Sequence, residues 1–220
     1  ERGHIMIPGF YDRVRPLTLE ERELLARFPL DEGAWLRETG SSELWGEPEY
    51  SLVERISARP TLDVTGMYGG YIGEGTKTVL PSRAHAKISM RLVPDQDPAE
   101  VLRLFEHFVR AVLPPSITLN ILHSGGARAA LVERDTAPMR AAAAAYEAAY
   151  QHPPVFMREG GSIPVVNQFE SDLQLPTVLM GFGLPGDRIH SPNERFYVPN
   201  FFKGIETSIR YLDLLSNPPA

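Results

Sequence analysis

The chain has 220 residues, 43% of them hydrophobic and 23% charged, enough to bury a sizeable core in one large or two small domains. Its 22 basic and 28 acidic residues leave a formal charge of −6 with no basic cluster, so the sequence shows no footprint for nucleic acid or an anionic membrane. It has no cysteine, which excludes disulfides and thiolate metal sites, and no apolar run approaches the roughly 20 residues that span a bilayer.

A reducing, cytoplasmic setting fits that composition, and no signal peptide is visible. The opening Glu1-Arg2-Gly3-His4 reads as a chain that begins mid-protein. Residues 1–60 read as an irregular, partly helical insert. Thr18-Leu19-Glu20-Glu21 is a capping box that opens a helix, with Leu24 and Leu25 apolar beyond it. Trp35, Leu36, Leu44 and Trp45 are expected to anchor the insert. Leu62–Met67 reads as a strand. The run Gly69-Gly70-Tyr71-Ile72-Gly73-Glu74-Gly75-Thr76-Lys77-Thr78 follows. It is not a phosphate loop: Thr76 separates Gly75 from Lys77, and Pro81 follows in place of a helix N-terminus.

His85–Val93 alternates, with Ala86, Ile88, Met90 and Leu92 on one face and Lys87, Ser89 and Arg91 on the other. Asp97-Pro98-Ala99-Glu100 starts a helix with a cap, a first-turn proline and a capping-box acid. Val101, Leu104, Phe105, Phe108, Val109 and Val112 form its apolar face. Pro114-Pro115 stops it, and Ile117–Leu122 alternates as another strand that leads into His123-Ser124-Gly125-Gly126. Two strands, a helix and a strand imply a two-layer α+β unit.

After Gly126 the pattern changes. Thr136–Tyr150 is an Ala-rich helix. Two short β-prone runs, Pro154–Met157 and Pro176–Met180, each break into a Gly- and Pro-rich loop, with a helical segment around Val165–Phe169 between them. Asn200 is expected to cap a closing helix whose apolar face carries Phe201, Phe202, Ile205, Ile209, Leu212 and Leu215. That alternation is the rhythm of an α/β layer.

The two loops hold the residues most suited to chemistry. The first is Met157-Arg158-Glu159-Gly160-Gly161-Ser162-Ile163-Pro164, and the second runs from Gly181 through His190-Ser191-Pro192-Asn193-Glu194. His190 sits in too polar a context for a core histidine, and the neighbouring Asp187 and Glu194 are either candidates to fix its tautomer or merely solvated carboxylates. From the residues alone, Glu159 is equally an ion-pair partner for Arg158, and Arg91 a solubilising charge. His4, His85, His107 and His152 read as structural or solvent-facing.

The two loops resemble the dipeptidase and carnosinase branch of the co-catalytic metallopeptidases, which also includes aminoacylases and succinyl-diaminopimelate desuccinylase. The resemblance extends through Thr61–Pro98 and, more weakly, Ile7-Pro8-Gly9-Phe10-Tyr11-Asp12. It covers nearly the whole chain, but only about the second half of the family. It implies that His190 is a ligand of one of two zinc ions, with manganese as the alternative metal. Glu159, Gly161 and Ser162 are then substrate-binding, Glu159 holding the ammonium of an unblocked N-terminus. Arg91 would grip the C-terminal carboxylate bidentately, and Thr78 and His123 would be lid residues that touch substrate.

The family's remaining metal ligands, its Glu base and an oxyanion-stabilising His are expected ahead of residue 1. The chain alone is therefore expected to be catalytically incomplete, with no metal or one weakly held ion. The implied fold is an incomplete, ferredoxin-like α+β lid and dimerisation domain over 1–126, an antiparallel sheet with helices on one face. The C-terminal part of an α/β catalytic domain follows over 127–220. The implied partners are a small dipeptide and a second copy of the protein, joined through the lid. An N-acyl-amino-acid deacylase and a stand-alone dimerisation or binding module are the alternatives.

Overall fold

The computed structural model describes residues 3–123, 125–159 and 163–217. The described elements are helices α1 (Leu19–Leu25), α2 (Glu32–Thr39) and α3 (Leu52–Ala58), strands β1 (Thr61–Gly69) and β2 (Ala84–Arg91), and helices α4 (Pro98–Val112), α5 (Ala137–Tyr150), α6 (Pro164–Leu173) and α7 (Val198–Ser216). A short 3-10 turn, Pro185–Asp187, precedes α7. They group into two compact units: Glu1–Ala130 with Met157–Pro164, and Leu131–Phe156 with Val165–Ala220.

In the first unit the helix starts follow from their caps. Thr18 Oγ1 accepts from the Glu21 amide at 3.2 Å while the Glu21 carboxylate accepts from the Thr18 amide at 2.8 Å, the reciprocal box read from the sequence. Ser51 and Glu54 repeat it at the head of α3, and Asp31 caps α2 by accepting from Gly33 and Ala34. Gly40 ends α2 at φ +68°, the left-handed conformation glycine adopts without a Cβ penalty. Helices α1 and α3 meet through the ion pair Arg22–Glu54 at 2.8 Å, with Leu25 and Leu52 buried.

Strands β1 and β2 form one antiparallel hairpin, with Thr61 opposite Arg91 and Gly69 opposite Ala84. A bulge between Val64 and Gly66 shifts the register. Below it Leu62 and Val64 face Met90 and Ile88; above it Met67 faces Ala86, so the inward parity of β1 changes at the bulge. Only the base of the hairpin is in the core. There Leu62, Met90 and Leu92 pack with Leu104, Phe105 and Phe108 of α4 around buried Ile7, Phe10 and Val101. Gln96 locks the turn to that core, accepting from the Val93 amide at 3.1 Å and donating to the Phe10 carbonyl at 2.9 Å. The α+β character agrees with expectation.

Several expected details are corrected. Ile117–Leu122 forms no strand; Ile117 N–H donates back to Pro114 O at 3.0 Å, and Leu122 is 87% exposed. Alternation alone does not make a strand, whose amides need a neighbouring strand to accept them, and none is paired there among the described residues. Pro154–Met157 and Pro176–Met180 likewise form no strand among the described residues. Trp45 is 75% exposed, so it does not anchor the insert. With Trp35, Leu36, Leu44, Phe105 and Phe108 it walls a cleft of about 700 Å³.

In the second unit α5 packs on α7. The contact uses small side chains: Ala141, Ala142, Ala145 and Ala149 are buried on α5, and Gly204 and Thr207 on α7. A Cβ at Gly204 would stand 3.3 Å from the Phe182 ring, so any larger residue there would have to push the ring back by a few tenths of an ångström. The expected apolar face of α7 is the outward one, with Phe201, Phe202, Ile205, Ile209 and Leu212 between 43% and 64% exposed. Helix α7 starts at Val198 behind Tyr197, one turn earlier than Asn200 would place it. Asn200 instead donates from Nδ2 to the Phe182 carbonyl at 3.1 Å.

Candidate functional site

The candidate residues fall in both units. Arg91, Thr78, His123 and Glu159 belong to the first, His190 to the second. Arg91 is the last residue of β2 and is exposed opposite Thr61. Thr78 lies on the exposed connection between the strands, and His123 on the exposed irregular stretch after α4. Beside that connection His85 stacks on Tyr68 with ring centroids 4.4 Å apart, a structural use of the imidazole. Gly161 and Ser162 lie outside the described residues.

Glu159 is exposed at the end of a segment with an ion pair of its own. Arg158 donates from Nη2 to the carboxylate of Glu21 on α1, not to Glu159. Burial works to raise the Glu21 carboxyl, but the Thr18 amide and the Arg158 guanidinium outweigh it and hold it below its usual range.

The loop that carries His190 is wound on itself and pinned at its base. Tyr146 of α5 donates from its hydroxyl to the Gly181 carbonyl at 2.7 Å and stacks on Phe182 at 5.2 Å. Burial, with Tyr150 nearby, pushes the Tyr146 phenol up to about 12. Asp187 is 4% exposed. Its carboxylate accepts from the Leu184 amide at 2.7 Å and its carbonyl from the Arg195 amide at 2.9 Å. Arg195 in turn donates from Nε to Gly186 O at 3.0 Å. Asp187 is therefore committed to the loop backbone. Arg188, His190 and Asn193 all adopt positive φ, +57°, +63° and +62°, a costly conformation for side chains that the loop's hydrogen bonds hold in place. His190 stands exposed on this frame.

Among the described residues no group of three or more His, Asp and Glu side chains could hold a metal ion. With no cysteine to add, the described donors do not make a metal site by themselves. The structure gives two residues roles that the sequence reading did not: Glu21, read only as a capping acid, is also the partner of Arg158, and Asp187, read as a neighbour for His190, braces the loop backbone instead. The Glu21 contact has no local signal, since it spans 137 positions. The Asp187 turn had one, in Leu184-Pro185-Gly186-Asp187, a proline and an acid placed to close a tight turn.

The Cys-Gly metallodipeptidase DUG1 of Candida albicans is 32% identical over 215 residues, covering 96% of this chain and 44% of that protein. The solved structure of the dipeptidase Dug1p from Saccharomyces cerevisiae superposes with a TM-score of 0.83 at 29% identity, covering 100% of this chain and 46% of that one. An M20 family metallo-carboxypeptidase from Sulfolobus solfataricus superposes with a TM-score of 0.84 at 30% identity, covering 96% and 48%. The chain thus spans about half the length of the relatives it matches, and its fold is that of the corresponding part of M20 peptidases. The family model described as "Peptidase dimerisation domain" matches residues 20–137, just over half of the chain, and the protein belongs to that M20 peptidase family.

Proposed function

We propose that this chain is part of a metal-dependent dipeptidase and that the complete protein hydrolyses the amide bond of small dipeptides with free ends. The observation that carries this is the likeness, along almost the whole chain, to proteins named as metallodipeptidases. Residues 1–126 supply the lid and dimerisation region through which two copies pair, and 127–220 the C-terminal portion of the catalytic domain. The outward apolar face of α7 supports this, because large apolar faces of soluble domains are normally covered.

The chain's own residues bind and orient in this proposal. The Arg91 guanidinium takes the substrate's carboxylate, Glu159 its ammonium, and Gly161 and Ser162 position the backbone between them. Thr78 and His123 close over it from the lid. His190 is one metal ligand. Two zinc ions, or manganese, would take their other ligands from outside the described residues and would supply an activated water to the amide. Among the described residues no helix is long and apolar enough to cross a membrane. A cytoplasmic setting and the absence of a nucleic-acid partner fit the composition.

The test is hydrolysis of unblocked and N-acetylated dipeptides by the chain and by the complete protein. Turnover of unblocked dipeptides by the complete protein alone, abolished by His190→Ala and weakened mainly in KM by Arg91→Ala, is the expected outcome. Preference for acetylated substrates would make the protein a deacylase, and turnover by the 220-residue chain would overturn the proposed division of the site.

A further inference from the structure

The contact between Glu21 and Arg158 joins the first helix of the chain to the segment that ends in Glu159. Glu21 serves two partners. One carboxylate oxygen, Oε2, accepts from the Thr18 amide at 2.8 Å and closes the capping box of α1. The other, Oε1, accepts from Arg158 Nη2. The side chains are 24% and 12% exposed, so the pair is largely out of water, where a guanidinium deprived of its carboxylate is costly. The second terminal nitrogen of Arg158, Nη1, is buried and has no hydrogen-bond partner among the described residues.

Nearby Asp95 is paired with Arg15 at 2.7 and 2.8 Å. Its carboxyl is held below the usual range first by the Arg15 hydrogen bond and, to a lesser degree, by the charge of Arg158. Met157–Pro164 groups with the first unit, although the chain on either side belongs to the second. None of the described backbone hydrogen bonds outside regular elements involves Met157, Arg158 or Glu159, and the described tie of this segment to α1 is the Arg158–Glu21 pair.

We propose that Glu21 and Arg158 are a positioning pair: they fasten the loop that presents Glu159 to α1, so the helical stretch ahead of β1 sets where the amino end of the substrate is gripped. The substrate half of this statement rests on the role proposed above for Glu159; the fastening does not. Helix α1, which offers no group to the reaction, thereby becomes part of the frame of the site. Breaking the pair frees a loop, so its first consequence is local mobility at Glu159, and its second is weaker binding of the free ammonium.

Three variants separate these effects. Glu21→Gln keeps an acceptor for the Thr18 amide but removes the charge, Arg158→Met keeps the length without the guanidinium, and the double variant closes the cycle. With a glutamate-specific protease, cleavage after Glu159 should accelerate at least about fivefold in either single variant and no further in the double, while cleavage after Glu147 in α5 stays unchanged. Unchanged cleavage, or additive effects, would overturn the fastening. In the complete protein the same variants should raise KM for unblocked dipeptides at least about fivefold with kcat within about twofold, and Arg158→Lys should recover part of the loss. Faster cleavage with an unchanged KM would leave the fastening in place and overturn the assignment of Glu159 to the substrate.

Discussion

The two units bury themselves by opposite means. The first closes around large side chains and charges: Ile7, Phe10 and Val101 are buried, and so is Glu47, which holds Arg59 through two hydrogen bonds. Arg59 in turn lies over the Tyr50 and Tyr11 rings, at 4.2 and 5.4 Å from their centroids. Burial, with the Glu47 carboxylate adding to it against the Ile5 amide bond, pushes the Tyr11 phenol up to about 12. The second unit joins α5 and α7 through alanines, Gly204 and Thr207, and turns its largest apolar side chains outward.

The difference teaches that apolar size is a poor guide to which helix face is internal when a chain spans only part of its fold. Close approach of two helices selects small residues at their seam. Large ones, left on the far face of α7, wait for a layer that the described residues do not provide. Around Phe10 in the first unit size and burial coincide because that core closes locally, whereas Trp45 and the far end of the hairpin stay exposed.

Phe10→Ala should break this contrast most severely. The ring is 1% exposed in the centre of the first core, and its loss should cost about 3–5 kcal/mol, read as a fall in the denaturation midpoint of that unit while the helical signal of α5 and α7 persists. A simultaneous loss of both would show that the units do not fold independently. The corresponding change in the second unit is Ala145→Leu. Ala145 is fully buried at the seam, so a larger side chain should overpack it and cost about 1–3 kcal/mol in thermal stability. A neutral result would mean that the seam is looser than its composition implies.

The smallest effect expected concerns charge. The Glu21 carboxyl is held below its ordinary value of 4.5, so its contribution is fully present above that pH and fades as pH falls through the lower folded value. Because Glu21 is still 24% exposed and keeps its backbone cap to Thr18 in either charge state, the pH-dependent part should stay below about 1 kcal/mol. Glu21→Gln should flatten the acid side of the stability curve; an unaltered slope would remove Glu21 from the account.

Local chemistry fixed much of this molecule. The capping boxes, the start of α4 at Asp97-Pro98, the Ala-rich α5 and the hairpin alternation all follow from interactions within a few residues, which is why they can be read from order alone. The polar loops around Glu159 and His190 were visible for the same reason, as Gly and Pro break the chain beside charged groups.

Pairing and partnership were decided only in three dimensions. Ile117–Leu122 alternates like a strand yet has nothing to pair with, the bulge at Val64–Gly66 reverses a parity that sequence assumes constant, and Arg158 finds Glu21 far along the chain rather than its neighbour Glu159. An amide, a guanidinium or an apolar helix face states what kind of partner it needs, but only the closing of the chain in space determines which one it meets.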